Sequence, residues 1–148
     1  MPHPALIPLS HDHHHGLVHS RRLRKAAEGD GPERRDAAAA FLSFFDRDTR
    51  QHFRDEEEQL FPLLVDADGP ATELLVRALL EHQRLHALVG RLNGELDAGD
   101  VSAAQMRELA HALEQHIRFE ERTLFPLIES VASEDPLRRL QEATAPTR

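Results

Sequence analysis

Two stretches of this sequence are copies of one pattern: residues 52–63 read HFRDEEEQLFPL and residues 116–127 read HIRFEERTLFPL. Eight of the twelve positions are identical, which gives the shared pattern HxRxEExxLFPL. In each copy a histidine precedes a glutamate by four residues, so both side chains lie on the same face of an α-helix. The repeat therefore predicts two related helical hairpins, each of which contributes one His/Glu pair.

Helical periodicity extends well beyond the repeat. Apolar residues recur every three or four positions in four segments, at about 9–28, 33–65, 71–96 and 102–130. Turn-forming residues separate these segments at 29–32, 69–70 and 99–100. Long helices joined by short loops pack as antiparallel neighbours. We therefore predict an all-α fold, an antiparallel up-down-up-down four-helix bundle over about 9–132, in a single domain of residues 1–148.

Local signals predict where these helices begin and end. Ser10 is expected to cap the first helix, because a serine side chain accepts from the free N–H groups of a helix start. Pro62 is expected to break or kink the second helix near Phe61. Residues 133–148 are expected to form a short fifth helix or a tail, with Asp135 as its cap and Pro136 at its first position.

Composition and charge exclude several classes of function. The net charge of −8 argues against nucleic acid as a partner, because phosphate binding needs clustered Lys and Arg. The chain has no cysteine, which excludes disulfides and thiolate metal sites. Residues 1–9 lack the pattern of a signal peptide, and no apolar run is long enough for a bilayer, so we expect a cytoplasmic protein with no membrane partner. The 11 histidines are a large excess that requires an explanation.

The third and first helices add histidines to the inward faces. In EHQRLH, His82 and His86 are four residues apart on a predicted stripe that also contains Leu75, Leu79, Val89 and Leu92. In HDHHH (residues 11–15), the stripe through Leu9 and Leu17 selects His13, with His14 as the alternative if the helix phase differs by one residue. Asp12-His13 also mirrors Glu81-His82. We interpret the remaining histidines as surface residues: His3, His11, His15, His19 and His111.

The inward polar residues form one candidate metal centre, with the ligands His13, His52, Glu56, His82, His86, His116 and Glu120. Such groups cannot be buried in an apolar core without compensation, and metal ions satisfy all of them at once. Seven ligands are too many for one ion and fit two ions bridged by both carboxylates. A mixed His/Glu set suits iron or manganese best, although zinc or nickel could substitute.

These motifs resemble the hemerythrin family, and more closely the bacterial HHE cation-binding domains. The resemblance runs from His13 to Pro126 and rests on HFRDEEEQLFPL, EHQRLH and HIRFEERTLFPL. It implies a di-iron centre, bridged by the carboxylates and by an oxo or hydroxo group, in which His82, His86 and His116 hold one iron and His13 and His52 hold the other. In oxygen-carrying hemerythrins the last carboxylate lies five residues after its histidine, which would select Glu121. The repeat favours Glu120.

Several roles are open to such a centre. The first hypothesis is a non-haem di-iron protein that binds O2 or a related small ligand for storage, delivery or sensing. The absence of Tyr and Trp favours it modestly, because no easily oxidised phenol or indole lies near the metals. The alternatives are a di-iron oxidoreductase acting on peroxide or nitric oxide, or an iron-handling protein, so whether the protein is an enzyme stays open. A homodimer or a separate signalling partner is compatible with each role.

Overall fold

The computed structural model describes residues 3–67 and 69–144, and the described residues are helical with no β-strand. The helices are α1 (Ile7–Ala26), α2 (Gly31–Phe44), α3 (Arg50–Asp55), α4 (Ala71–Ala98), α5 (Ala103–Phe119), α6 (Phe125–Val131) and α7 (Glu134–Thr144). Four long helical segments form the main body. The first is α1, which follows a 3-10 turn at Pro4–Leu6. The second joins α2 and α3, the third is α4, and the fourth joins α5 and α6.

The two copies of the repeat share an unusual backbone. In each, a π-helical turn begins at the glutamate of the His/Glu pair, at Glu56–Leu60 and at Glu120–Leu124. The N–H of Phe61 donates to the carbonyl of Glu56, and the N–H of Phe125 donates to the carbonyl of Glu120, five residues back. A third π turn at Phe45–Thr49 joins α2 to α3. The predicted break near Phe61 is confirmed, since the backbone continues from there as a 3-10 turn, Phe61–Leu64.

Two predicted helix caps are wrong. Two other helix ends, which were not predicted, have cap residues that are common at such positions. α1 begins at Ile7, so Ser10 is not a cap, and its hydroxyl instead donates to Glu121 at 3.0 Å. α7 begins at Glu134, one residue before the predicted cap Asp135. By contrast, the carboxylate of Asp30 accepts from the N–H of Glu33 and caps α2. Gly99 ends α4 in the left-handed region, at φ 81°, which glycine adopts without strain.

Contacts between the helices place them around a common interior. α1 contacts α2 and α5, and α4 contacts the same two helices on the other side. The apolar interior forms two clusters. One cluster includes Leu23, Phe45 and Leu109, and the other includes Leu9, Leu60 and Phe125 together with buried leucines of α7. The up-down-up-down order of the helices stays a prediction. In the described part of the chain, no helix is both long and apolar enough to cross a lipid bilayer.

The buried face of α4 differs from the predicted one. Leu79 is 37% exposed, so its placement on the inward stripe is wrong. The buried residues of this helix are Ala71, Ala78, His82, Leu85, Leu88, Val89 and Leu92. Their stripe passes through Leu85 instead of His86. The predicted and observed stripes share His82, Val89 and Leu92, which is why periodicity alone did not separate them.

Candidate metal centre

Six of the seven predicted site residues meet in the interior between the two apolar clusters. Each of them is at most 4% exposed. They form two groups in which one ligand atom per residue lies within 4.8 Å of the others. The first group is His13, His52, Glu56 and Glu120, and the second is Glu56, His82, His116 and Glu120. The two glutamates therefore belong to both groups, and each group has two histidines of its own.

The carboxylates of Glu56 and Glu120 each face both groups. Glu56 Oε2 lies 3.2 Å from His52 Nε2, and Glu56 Oε1 lies 3.0 Å from His82 Nε2. Glu120 Oε1 lies 2.8 Å from His13 Nε2, and Glu120 Oε2 lies 3.2 Å from His116 Nε2. Each carboxylate thus directs one oxygen toward each histidine pair, as a group that bridges two cations would.

Each of the four histidines has a carboxylate on the ring nitrogen that faces away from the centre. Two of these acids come from the same hairpin as the histidine. His52 Nδ1 donates to Asp12 Oδ2 at 2.9 Å, and His116 Nδ1 donates to Glu81 Oε1 at 2.7 Å. Such hydrogen bonds fix the ring tautomer and leave Nε2 free for a metal, while they also increase the basicity of the ligand.

The other two outer carboxylates cross between the hairpins. His82 Nδ1 donates to Glu57 Oε2 at 2.8 Å, and His13 Nδ1 lies 3.5 Å from Glu121 Oε2. Glu57 and Glu121 follow the two bridging glutamates directly, so one repeat position supplies the outer carboxylate in both copies. Each hairpin therefore supplies one outer carboxylate to a histidine of the other hairpin.

Further contacts hold two of the outer acids. Arg77 donates to Glu81 at 2.9 Å and places its guanidinium 3.9 Å from the centre of the Phe119 ring. Ser10 donates to Glu121. These contacts restrict the side chains of Glu81 and Glu121, which in turn orient the rings of His116 and His13.

His86 does not join either group. It is partly exposed, and its Nδ1 lies 3.3 Å from Arg50 Nη1, so a cation stands where the other four histidines have a carboxylate. The ring of Phe53 lies flat against His82, with centroids 3.8 Å apart, and meets His86 edge-on. Burial and the charge of Arg50 lower the pKa of His86. The structure thus gives His86 surroundings unlike those of the clustered histidines and does not support its predicted place in the ligand set.

The two alternatives left open by the sequence have distinct positions in the structure. His13 is buried inside the first group, whereas His14 is exposed on the outer side of α1. Glu120 is fully buried in both groups, whereas the side chain of Glu121 is 36% exposed and contacts the outer nitrogen of His13. His13 and Glu120 are accordingly the residues that the fold brings to the centre.

The charges of the site depend strongly on one another. Burial by itself lowers the pKa of His52, but Glu56 and Glu120 outweigh it and raise the pKa to about 10. By the same balance of burial against carboxylates, the pKa of His116 is raised to about 10 and that of His82 to about 9. Burial would raise the pKa of Glu120, but His116 and the other partners hold it well below its usual value. A cation that binds at Nε2 must therefore displace protons.

Several inward-facing atoms of this cluster lack a hydrogen bond within residues 3–67 and 69–144. They are both carboxylate oxygens of Glu56, one oxygen of Glu120, and the Nε2 atoms of His82 and His116. These atoms face one another or His52 Nε2 at 3.0–3.2 Å, but not in hydrogen-bond geometry. Buried polar groups in folded proteins are nearly always hydrogen-bonded, so this cluster is unusual without a further partner. Two metal ions would satisfy all five, so the residues present fit a two-metal centre.

A second observation agrees with this fit. The Nε2 atoms of His13 and His52 lie 3.1 Å apart. Two imidazoles that ligate one ion at about 2.0–2.1 Å place their nitrogens roughly 2.9–3.4 Å apart for angles between octahedral and tetrahedral. The rings of the first pair are thus at a hydrogen-bond distance that also suits a shared ion.

A cavity of about 410 Å³ connects this centre with the surface. Its buried end contains His13, His52 and His116, next to the apolar side chains of Phe53 and Ile117. Its outer part is polar and contains His11, His15, His19, Arg47 and Asp48. The cavity therefore reaches the first histidine pair and one histidine of the second pair from a charged mouth.

Sequence reasoning did not assign the outer carboxylates or Phe53. Glu57 and Glu121 each contact a histidine from the other hairpin, and such a contact between hairpins is not recorded in any local pattern. The signal for Asp12 and Glu81 was the mirrored acid-histidine dipeptide at 12–13 and 81–82. For Phe53 no signal exists, because the other copy of the repeat has Ile117 there.

Fold and site together define a helical metal-binding protein with paired His/Glu ligand groups. Comparison with known families matches residues 5–128 to the hemerythrin HHE cation-binding domain, and the chain belongs to this family. Comparisons with curated proteins and with solved structures gave no match.

Proposed function

We propose that the chain is a non-haem di-iron protein that binds O2 or a related small ligand. The observation that carries the proposal is the set of buried, orphaned Nε2 and carboxylate atoms in two groups that share both glutamates. His13 and His52 would hold one iron, His82 and His116 the other, and Glu56 and Glu120 would bridge them. The proposal assumes the antiparallel up-down-up-down bundle predicted from the sequence.

Iron suits this donor set because imidazole and carboxylate together satisfy a cation of intermediate hardness. Two bound irons would supply the electrons that O2, peroxide or nitric oxide can accept. Each group contributes four donors, two imidazoles and one oxygen from each glutamate. A six-coordinate ion therefore keeps positions for an oxo or hydroxo bridge and for a small ligand.

The surrounding residues control access and orientation. The cavity brings a small molecule to the His13/His52 side of the centre, because both residues line it whereas His82 does not. Phe53 and Phe61 cover the ring of His82 on the second side. Hydrogen bonds to the outer carboxylates keep the imidazoles of His52, His82 and His116 in one tautomer, with Nε2 directed inward.

A second candidate function is a di-iron oxidoreductase that acts on peroxide or nitric oxide. The polar cavity favours it, because His11, His19, Arg47 and Asp48 bring water and proton donors to the mouth. Reversible O2 binding needs an apolar pocket that excludes proton donors, and only the inner wall of this cavity is apolar. The polar mouth of the cavity therefore favours catalytic turnover of the bound ligand as the alternative to reversible binding.

The two functions are separated by one experiment. The metal-free protein is loaded with Fe(II) without air, O2 is admitted, and the visible absorption is followed while the oxygen is then removed. Reversible binding predicts a band that appears with O2 and disappears on deoxygenation. The oxidoreductase predicts oxidation that deoxygenation does not reverse. It also predicts consumption of one equivalent of added peroxide each time a chemical reductant, afterwards removed, has returned the two irons to Fe(II).

The ligand set has its own test and control. The double variant His52→Ala, His116→Ala removes one imidazole from each group and is expected to bind fewer than two irons per chain. The matched control is His14→Ala, His111→Ala, which removes two exposed imidazoles and should keep both irons. If the first variant also keeps two irons per chain, the proposed ligand set is wrong.

A further inference from the structure

A second pair of imidazoles lies on the exposed side of α1, outside the ligand groups described above. His11 and His15 are one helical turn apart, and their Nε2 atoms approach to 3.1 Å. Their ring centroids are 4.6 Å apart and tilted by 56°. Both side chains are exposed, so water can complete the coordination of an ion placed between them.

The two nitrogens are at hydrogen-bond distance, and the same separation also suits a shared metal ion. It equals the 3.1 Å between the Nε2 atoms of His13 and His52 in the buried centre. It also falls inside the range of roughly 2.9–3.4 Å that follows from metal–imidazole bonds of about 2.0–2.1 Å. Divalent first-row transition metals accept imidazole ligands readily, whereas Mg²⁺ and Ca²⁺ prefer oxygen.

The pair lies at the entrance of a route to the buried centre. His11 and His15 line the same cavity as His13, His52 and His116, and they are its exposed histidines whereas the latter three are buried. The wall of this cavity also carries the carboxylates of Asp12 and Asp48. An ion released from the pair therefore enters a cavity whose far end is the predicted ligand set.

We propose that His11 and His15 together bind a divalent transition-metal ion at the mouth of the cavity and pass it to the buried centre. The surface site stands on its own geometry, whereas the delivery role rests on the two-metal centre proposed above. The pair would raise the local concentration of the metal at the entrance, an effect that speeds loading without changing the final occupancy of the centre.

The test uses Co²⁺ alone as the probe, because it binds imidazole and does not oxidise in air as Fe(II) does. The metal-free full chain is titrated by calorimetry, and the rate of loading is followed by the visible absorption of Co²⁺. The wild-type protein is expected to bind two ions tightly and a third weakly. His11→Gln, His15→Gln should lose the third ion and load the other two about tenfold more slowly, the lower end of what local concentration effects give. His14→Gln, His111→Gln is the control and should behave as wild type.

Each other outcome overturns a stated part. If His11→Gln, His15→Gln keeps a third weak ion, the surface site is wrong. If the third ion is lost and the loading rate is unchanged, delivery is wrong. If the wild type binds one weak ion that this variant loses, but no tight ions, then the function proposed above fails while the surface site stands. Paramagnetic broadening of the His11 and His15 ring signals, before that of the buried rings, identifies the site directly.

Discussion

Replacing Glu81 by Gln tests whether the outer carboxylates determine the metal affinity of this site. Glu81 accepts from His116 Nδ1 at 2.7 Å, and its side chain is 26% exposed. The amide of Gln has nearly the same shape and keeps an oxygen acceptor, but it removes the charge that makes such a bond roughly twice as strong as a neutral one. The six clustered residues are left in place, so the change acts on the centre through His116.

The expected loss of metal affinity follows from the position of Glu81, which binds the outer nitrogen of His116 and not the metal itself. Loss of an outer-shell partner of a metal-bound histidine lowers metal affinity about 10- to 100-fold. This range corresponds to about 1.4–2.8 kcal/mol in binding free energy. The surface ion pair with Arg77 is also lost, and such exposed pairs contribute only about 0–1 kcal/mol to stability. The effect should therefore be large on binding of one ion and small on folding.

The assay is a calorimetric titration of the metal-free protein with Co²⁺, analysed for two ions. Glu81→Gln should weaken the ion held by His82 and His116, and Asp12→Asn, the equivalent change in the other hairpin, should weaken the ion held by His13 and His52. Glu108→Gln is the control, because Glu108 pairs with Arg84 on the surface. The reasoning is refuted if Glu81→Gln reduces neither affinity by more than the control does.

Three further predictions concern the ligands, the charges and the packing. By metal analysis, His86→Gln should keep two metal ions per chain, whereas His82→Gln should lose at least one. Loss of an ion in His86→Gln would show that His86 is a ligand. In the metal-free protein the histidines with raised pKa, about 9–10 against 6.5 unfolded, stabilise the fold fully below about pH 6.5 and lose that contribution as the pH rises through 9–10. Its Tm by calorimetry should therefore fall between pH 7 and pH 10, and a constant or rising Tm would contradict the pKa shifts. Phe53→Ala should reduce the free energy of unfolding by about 3–5 kcal/mol in chemical denaturation, because Phe53 is buried against the His82 ring. Phe53→Leu should cause a much smaller loss. A loss near zero in Phe53→Ala would show that this stacking does not stabilise the fold.

Much of the fold and the site could be predicted because one repeat carries both. The pattern HxRxEExxLFPL predicts a helix face and a His/Glu pair, and both appear at each copy in the structure. The predicted break appears at the first copy, whereas the second copy continues as α6. Periodicity places one set of second-helix residues on the inward face, and all of them are buried: Phe41, Leu42, Phe45, Thr49, His52, Glu56 and Leu60. Periodicity worked well here because histidine and glutamate replace apolar residues on an otherwise clear stripe.

The errors occur where local periodicity gives two equivalent answers. On α4 the stripe through Leu79 and His86 has the same spacing as the observed stripe through Ala78 and Leu85, and only the neighbouring helices decide between them. The contact of Arg50 with His86 depends on residues 36 positions apart, which no local pattern records. The π turns were also outside the prediction, since regular helix geometry was assumed on both sides of each proline.

The crossed outer carboxylates have a consequence for how such a site can be assembled. Each hairpin contains two histidines, one bridging glutamate and two outer acids, but Glu57 acts on a histidine of the second hairpin and Glu121 on one of the first. A single hairpin is thus half a centre. Two identical hairpins related by a twofold axis would form a complete centre. A polypeptide of half this length could therefore build the same arrangement as a homodimer. Duplication and fusion of its gene would yield the internal repeat seen in this chain.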